Sequence, residues 1–399
     1  MKKLLFLAVG ALMMLNSCKE DPIEPTIDTV LVGTLTQDKT LTADKVWTLK
    51  GYVYVPEGVT LTIEAGTTIK SDIAEKGALC IERGGKIMAE GTADKPIVFT
   101  SGQASPAPGD WGGVILLGKA TTNRTTEPTI EGGIGRPYGG NDDNDNSGVL
   151  KYVRVEYAGI AAFPNSEINA FTFGAVGSGT TVEFCESYYG NDDAFEFFGG
   201  TVSPKYLVAV GTADDDYDFD FGYRGTIQYA ISKRDPQFVD GADAGNGIEC
   251  DNDGTGSSAT PTTHPTLLNF TLIGPATSNA AANHNLAMRW RRASQFTVVN
   301  SIFYGYLKGG LSLESDETAQ AFKDGVSKFV NNYVSAVDTA KLTISKSSVI
   351  ASSEMPGIAS TSTFSTSQVA PFNNMFESTT NIGAIPFGTV NWLLGWTKF

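Results

Sequence analysis

Two segments 18 residues apart, LTIEAGTTIK from Leu61 and LCIERGGKIM from Leu79, share the pattern Leu-x-Ile-Glu-x-Gly-x-x-Ile. Each reads as a strand, a glycine turn and a second strand. A unit of this length has an apolar face that nothing inside the unit can cover. Stacking on the next copy buries it, which is the situation of a β-solenoid.

A longer unit carries the pattern onward. AFTFG, AFEFFGG, DFDFGYRG, GIECDNDG, AMRWRRAS and GLSLESD each set apolar residues on both sides of a central one, and each follows a strand-like run. Side chains alternate along a strand, so Phe195/Phe197, Phe219/Phe221, Ile248/Cys250 and Met288/Trp290 are expected to point inward. The central residues Thr172, Glu196, Asp220, Glu249, Arg289 and Ser312 then form one outward row. Their intervals of 23 to 40 residues read as rungs of roughly 23 residues with inserted loops. No helical period lies between the strands, and parallel crossovers are right-handed in nearly all cases. The predicted fold is all-β: a right-handed parallel β-helix (β-solenoid) over residues 30–345 with terminal caps. Residues 346–399 lose the rung pattern, and with Trp392 and Trp396 they read as a C-terminal capping segment.

The start of the chain supplies an address. Lys2 and Lys3 precede an apolar run over residues 4–15, too short to cross a hydrocarbon layer of about 30 Å, so residues 1–17 read as a signal peptide. The closing Leu-Asn-Ser-Cys resembles a bacterial lipobox, which implies lipidation of Cys18 and a lipid anchor in the outer membrane. Lys19-Glu20-Asp21 is similar to the export signal of surface lipoproteins of the Bacteroidota, and it implies that the protein faces the cell exterior. Residues 18–29 are acidic and aperiodic, as expected of a flexible tether.

With 44 acidic against 29 basic residues the formal charge is −15, which excludes nucleic acid as a partner and favours cations, neutral glycans or basic protein surfaces. Cys80, Cys185 and Cys250 lie in strand-like runs and read as core residues. His264 and His284 stand alone, which excludes a histidine zinc site and a Ser-His-Asp triad.

GKIMAEGTADKPIVFTS, GDWGGVILLGKA, NDDNDNSGVLKYVRVEYAG, AFEFFGGTV and NWLLGWTKF are similar to motifs of a large group of secreted or lipid-anchored bacterial proteins, common in the Bacteroidota and predicted to be parallel β-helices. The resemblance runs from Leu41 to Phe399. It implies the fold and a cell-surface life; no activity is common to the group, so no catalytic residue is carried over.

Chemistry points to the acids. Eight of them (Asp192, Asp193, Glu196, Asp214, Asp215, Asp216, Asp218, Asp220) lie between Asn191 and Asp220, against the single base Lys205. The expected ligand-binding face comprises Glu196, Asp218, Asp220 and Glu249, with Arg289 and Arg291 as partial counter-charges. Carboxylates about 4.8 Å apart repel by roughly 0.9 kcal/mol in water and about 3.5 kcal/mol at an effective dielectric of 20. Ca²⁺, which takes six to eight oxygen ligands and accepts irregular loops, can supply the remaining charge. Its expected ligands are Asp142, Asp143 and Asp145 in GNDDNDNSG, Asp214 and Asp216, and Asp251 and Asp253 in DNDGTG.

The function read from these features is a non-catalytic binding module for a glycan or a surface partner. One alternative is a polysaccharide-degrading lyase or glycosidase. Pectate lyases and polygalacturonases are β-helices with acids and an arginine on stacked rungs, and Asp192-Asp193 with Arg289-x-Arg291 superficially resembles that arrangement. Polygalacturonases, however, carry a Gly-His-Gly between their paired acids, whereas here Asn-His-Asn at 283–285 falls just before Arg289. The other alternative is a scaffold within an outer-membrane complex. The address is directly testable: mass spectrometry of the mature protein should find an acylated N-terminal Cys18, and Cys18→Ala should move the protein out of the membrane fraction.

Overall fold

The computed structural model describes residues 29–164, 166–355, 381–386 and 388–399; the segments expected to be a signal peptide and a tether, with Cys18, lie outside the described residues up to residue 28. Strands run from Val30–Thr34 to Thr343–Ser345, and 25 of them join by parallel pairing between successive coils of a right-handed β-helix. The coils line up three sheets. Sheet B carries the site; in the coils that matter here it consists of Val114–Leu117, Phe171–Gly174, Phe195–Phe198, Tyr217–Asp220, Ile248–Cys250, Leu286–Trp290 and Gly309–Leu313. Longer strands such as Thr181–Tyr188 and Thr226–Lys233 bend midway, giving their first halves to sheet C and their second halves to sheet A.

Inside the coil, like stacks on like. Phe171, Phe195 and Tyr217 form one column with centroids 5.0 and 5.5 Å apart, and Phe173, Phe197 and Phe219 form another at 4.9 and 5.4 Å. All six are fully buried. Each ring contributes about 2–3 kcal/mol by leaving water and about 1 kcal/mol more by stacking. Cys80, Cys185 and Cys250 are free and buried, in keeping with their strand context.

The bend between sheets C and A places one residue per coil in the left-handed region: Tyr152, Phe184, Tyr206, Tyr229 and Asn269, with φ from 50 to 61°. Non-glycine residues adopt this conformation at a cost. Here the aromatic ones offset it by stacking on one another outside the coil, at 4.4, 4.3 and 5.1 Å. Further along, Asn269, Asn300 and Asn331 occupy the same bend, asparagine being the side chain that tolerates it best.

This outer aromatic column corrects the expectation for the tail. Trp392 and Trp396 do not close the end of the coil. Residues 381–386 and 388–399 lie along its flank, where Trp396 meets Tyr152 and Phe184 edge-on at 5.7 and 6.0 Å and packs with Val208, Ile231, Ala384 and Leu393. Asn269 Nδ2 donates to Asn381 O at 2.8 Å, and Arg154 Nη1 donates to Trp396 O at 2.5 Å. The end itself is covered earlier, by Ala319 and Phe322 of the helix Asp316–Lys323 and by Val349, Ile350 and Met355.

Trp396→Ala removes the ring that joins tail to flank. It should destabilise docking of the tail by about 3 kcal/mol. Limited proteolysis read by mass spectrometry is expected to cut within residues 381–399 while the coil between Val30 and Ser345 resists.

Candidate cation and ligand site

The outward row of sheet B is set by pairing. Thr172 pairs with Glu196, Glu196 with Asp218, Asp218 with Glu249, Glu249 with Arg289 and Arg289 with Ser312. Asp218 therefore takes the place expected for Asp220, which pairs with Phe198. The inward residues of that rung are Tyr217 and Phe219, while Phe221 lies outside, stacked on Phe198 at 5.6 Å and under the Arg124 guanidinium at 4.6 Å. A slip of two residues keeps the side of the strand, so both aspartates still face outward. Tyr223, two residues beyond Phe221, is fully buried and donates its hydroxyl to Val202 O at 2.8 Å.

Before each strand of sheet B the chain turns in from sheet A, and this turn adds a second file of acids. Asp193 and Asp215 occupy equivalent positions on successive rungs, flanked by Asn169 before and Asn246 after. Asp215 N donates to Asp193 Oδ1 at 2.8 Å and Asn246 N to Asp215 Oδ1 at 2.5 Å. Each side chain thus accepts the backbone proton of the next turn. This ladder aligns Asp192 with Asp214 and brings the turn acids beside the row. Asp192, Asp193 and Asp214 form one group whose ligand oxygens lie within 4.8 Å of one another, and Asp193, Glu196 and Asp218 form a second. The two groups share Asp193.

Burial governs the protonation of these carboxyls. It pushes Asp192, Asp193, Glu196, Asp215 and Asp218 well above the usual carboxylate range, and the charges of neighbouring acids push further. Asp214 rises to about 7, by burial first and then by the charges of Asp243 and Glu249. Glu131 and Glu167, on the loops that roof the preceding part of sheet B, add repulsion at Asp192. A side-chain amide, Asn169 Nδ2, donates to Glu196.

The far half of the row is balanced. Glu249 receives Arg289 Nη1 at 3.1 Å and a closer contact from Arg291; Asp251 receives Arg291 Nε at 2.8 Å and Arg292 Nη1 at 2.7 Å; Glu314 receives Arg289 Nε at 3.2 Å. Burial still lifts Glu249 to about 8. No ion pair joins Asp192, Asp193, Glu196, Asp214 or Asp218 to an arginine among the described residues.

Of the seven acids expected as metal ligands, Asp214 alone belongs to one of the two convergent groups. Asp143 is held by Arg224 at 3.2 Å and by the Thr121 amide at 3.0 Å. Asp142 and Asp145 cap their own loop, accepting from Asn144 N and Ser147 Oγ. Asp216 is buried against Arg234 at 3.1 Å, Asp251 holds the arginines, and Asp253 accepts from Thr255 and Ser257. The residues missed as ligands, Asp192 and Asp193, had a signal: NDDAFEF and ADDDYDF repeat two acids, a spacer, an aromatic, an acid and a phenylalanine 22 residues apart. Ca²⁺ oxygens at 2.3–2.6 Å are at most about 5 Å from one another, so each group matches one coordination sphere.

The raised carboxyls make a signed prediction. The native state holds these protons more tightly than the unfolded chain, so their ionisation destabilises the fold; their contribution is most favourable near pH 4 and is lost as pH climbs through about 7 for Asp214 and about 8 for Glu249. In chelator at pH 8, Asp214→Asn should therefore be more stable than the parent by on the order of 2 kcal/mol, and the difference should vanish near pH 4. Thermal melts across that range check it.

Residues 33–397 match the family model of the pectate-lyase-like beta helix domain, and the chain belongs to that family. No curated protein and no solved structure matches it. Membership agrees with the parallel β-helix and points to a carbohydrate-related role.

Proposed function

We propose that this pectate-lyase-like β-helix protein is a glycan-binding module held at the outer membrane through Cys18 and facing the cell exterior, and that its contact face is organised by Ca²⁺. Asp192, Asp193 and Asp214 hold one ion, Asp193, Glu196 and Asp218 a second, and sugar hydroxyls complete the oxygen shell. The observation that carries the reading is the convergence of five carboxylates from two rungs around the shared Asp193, without an arginine ion pair among the described residues. The family's carbohydrate-related character supports the choice of ligand.

Binding is favoured over turnover by the similarity of the acids to one another. Glycoside hydrolysis by two carboxyls needs one that stays protonated and one that stays ionised, which requires different surroundings. Here burial and like charge shift all five in the same direction. The arginines that could bind an acidic substrate are engaged by Glu249, Asp251 and Glu314.

A glycan array probed with and without chelator separates the possibilities. The expected result is retention of one glycan class in Ca²⁺, loss of at least tenfold in chelator or in Asp193→Asn, and no shortening of the bound chain. Release of shorter products would make the protein an enzyme. Retention of nothing in Ca²⁺ would leave the scaffold reading.

A further inference from the structure

The end of the tail is held to the flank by its tryptophans and by four charges. Arg154 and Glu156 come from the strand Gly148–Glu156, Glu186 from Thr181–Tyr188 and Lys398 from the tail itself. Two cations meet two carboxyls, and they are shared unevenly. Glu156 accepts from Arg154 Nε at 2.5 Å and from the Thr100 hydroxyl at 2.8 Å, and Lys398 Nζ lies 3.0 Å from it. Glu186 has no exposed surface; it accepts the backbone amide of Lys398 on both oxygens, at 2.9 and 3.0 Å, and its ion pair among the described residues is the long contact to Arg154 Nε at 4.0 Å.

The tail is what closes Glu186 off from water. On the next strand its neighbour is Val208, which adds no charge, and on its own strand Tyr188 follows, with its ring 4.7 Å from the Lys398 ammonium. Burial pushes the Glu186 carboxyl up to about 8, although the Lys398 amide and Arg154 pull the other way, and the charge of Glu156 adds to the rise. Burial acts on Glu156 as well, but there Arg154, Lys398 and Thr100 outweigh it and hold the carboxyl below its usual range.

We propose that the tail is a pH-sensitive strap, whose docking on the flank takes up a proton at Glu186 and whose release uncovers the outer rings of Tyr152, Phe184 and Tyr206. With the strap released, water reaches Glu186 and the carboxyl ionises near 4.5, as an ordinary glutamate does; with the strap docked it keeps its proton up to about 8. Between these limits docking binds one proton, so it weakens by about tenfold for each unit that pH rises, and it is weakest once pH has passed about 8. Glu156 works in the opposite sense: its docked carboxyl is the more acidic, so its contribution is present at neutral pH and is lost as pH falls below the ordinary carboxylate range. The strap is therefore tightest in mild acid. It uses neither the cation groups of sheet B nor a glycan.

Hydrogen exchange of the full chain, read by mass spectrometry and corrected for the intrinsic pH dependence of amide exchange, tests the strap. Protection of the amides at 393–398 should fall at least tenfold from about pH 5.5 to about pH 8, while the strand Phe195–Phe198 stays protected throughout. Glu186→Gln keeps an acceptor for the Lys398 amide and cannot ionise; it should flatten the profile and leave the strap better protected than the parent at about pH 8. Lys398→Met removes the ammonium and leaves the amide, so it should lower protection at every pH and keep the slope, without touching the buried position. A flat profile in the parent or in Lys398→Met, or a slope that survives in Glu186→Gln, would overturn the coupling of the strap to this carboxyl.

Discussion

Every coil of this protein buries its apolar side against the coils above and below, and that dependence makes each position answer to its vertical neighbours. Inside, the rule favours rings over rings, as in the Phe171, Phe195 and Tyr217 column. At the bend it favours stacked aromatics, which offset a left-handed backbone. At the turn it favours a side-chain oxygen that accepts the next rung's amide, from Asp193 to Asp215 to Asn246. The same rule applied to charge is unfavourable. Carboxylates on successive rungs are held at strand spacing and cannot separate without unstacking the rings beneath them. A crowded acidic face is therefore kept in place by the core, and it persists although its own electrostatics oppose it.

Much of this was legible in the sequence because the alternation of side chains depends on parity. The row through Thr172, Glu196, Glu249, Arg289 and Ser312 could be read from the apolar residues on either side of each. The error at Asp220 arose because DFDF offers two acids of the same parity, and the loop after Phe221 blurs where the rung ends. Tyr217, an aromatic with a hydroxyl, was the inward partner; its hydroxyl donates to Ile231 O at 3.0 Å, which is how a polar tip is accommodated in the core. The turn acids were harder to place. They precede the strand, where no alternation exists, and their convergence depends on how tightly the chain turns from sheet A to sheet B.

The tail illustrates a different limit. NWLLGWTKF is apolar enough to bury itself, yet composition does not say against what. Its partner surface is the outer aromatic column, made by residues that a strand pattern counts simply as outward. Tyr152, Phe184, Tyr206 and Tyr229 acquire their role from the left-handed bend, which turns four rings into one continuous apolar strip along the axis. An end cap needs to cover one coil, whereas a flank strap covers several, and the paired tryptophans suit the longer surface.

The abrupt change from unbalanced to balanced charge along sheet B has a local cause. Counting rungs from Asp192 to Asp214 leads next to Gly245, where the column of acids stops. A side chain at Gly245 would begin 2.3 Å from Arg234 Nη2. The Arg234 guanidinium, wholly buried, fills that place and donates to Thr212 O at 3.0 Å, to Asp214 O at 2.5 Å and to Asp216 Oδ1 at 3.1 Å. One internal cation therefore shapes the turn that presents Asp214 and, by occupying the next rung, prevents another acid from joining the column. Beyond it the external arginines of the Arg289 rung take over. The five carboxyls that form no ion pair among the described residues are thus bounded on that side by positive charge, and the uncompensated acidic character is concentrated around Asp193 rather than spread along the row.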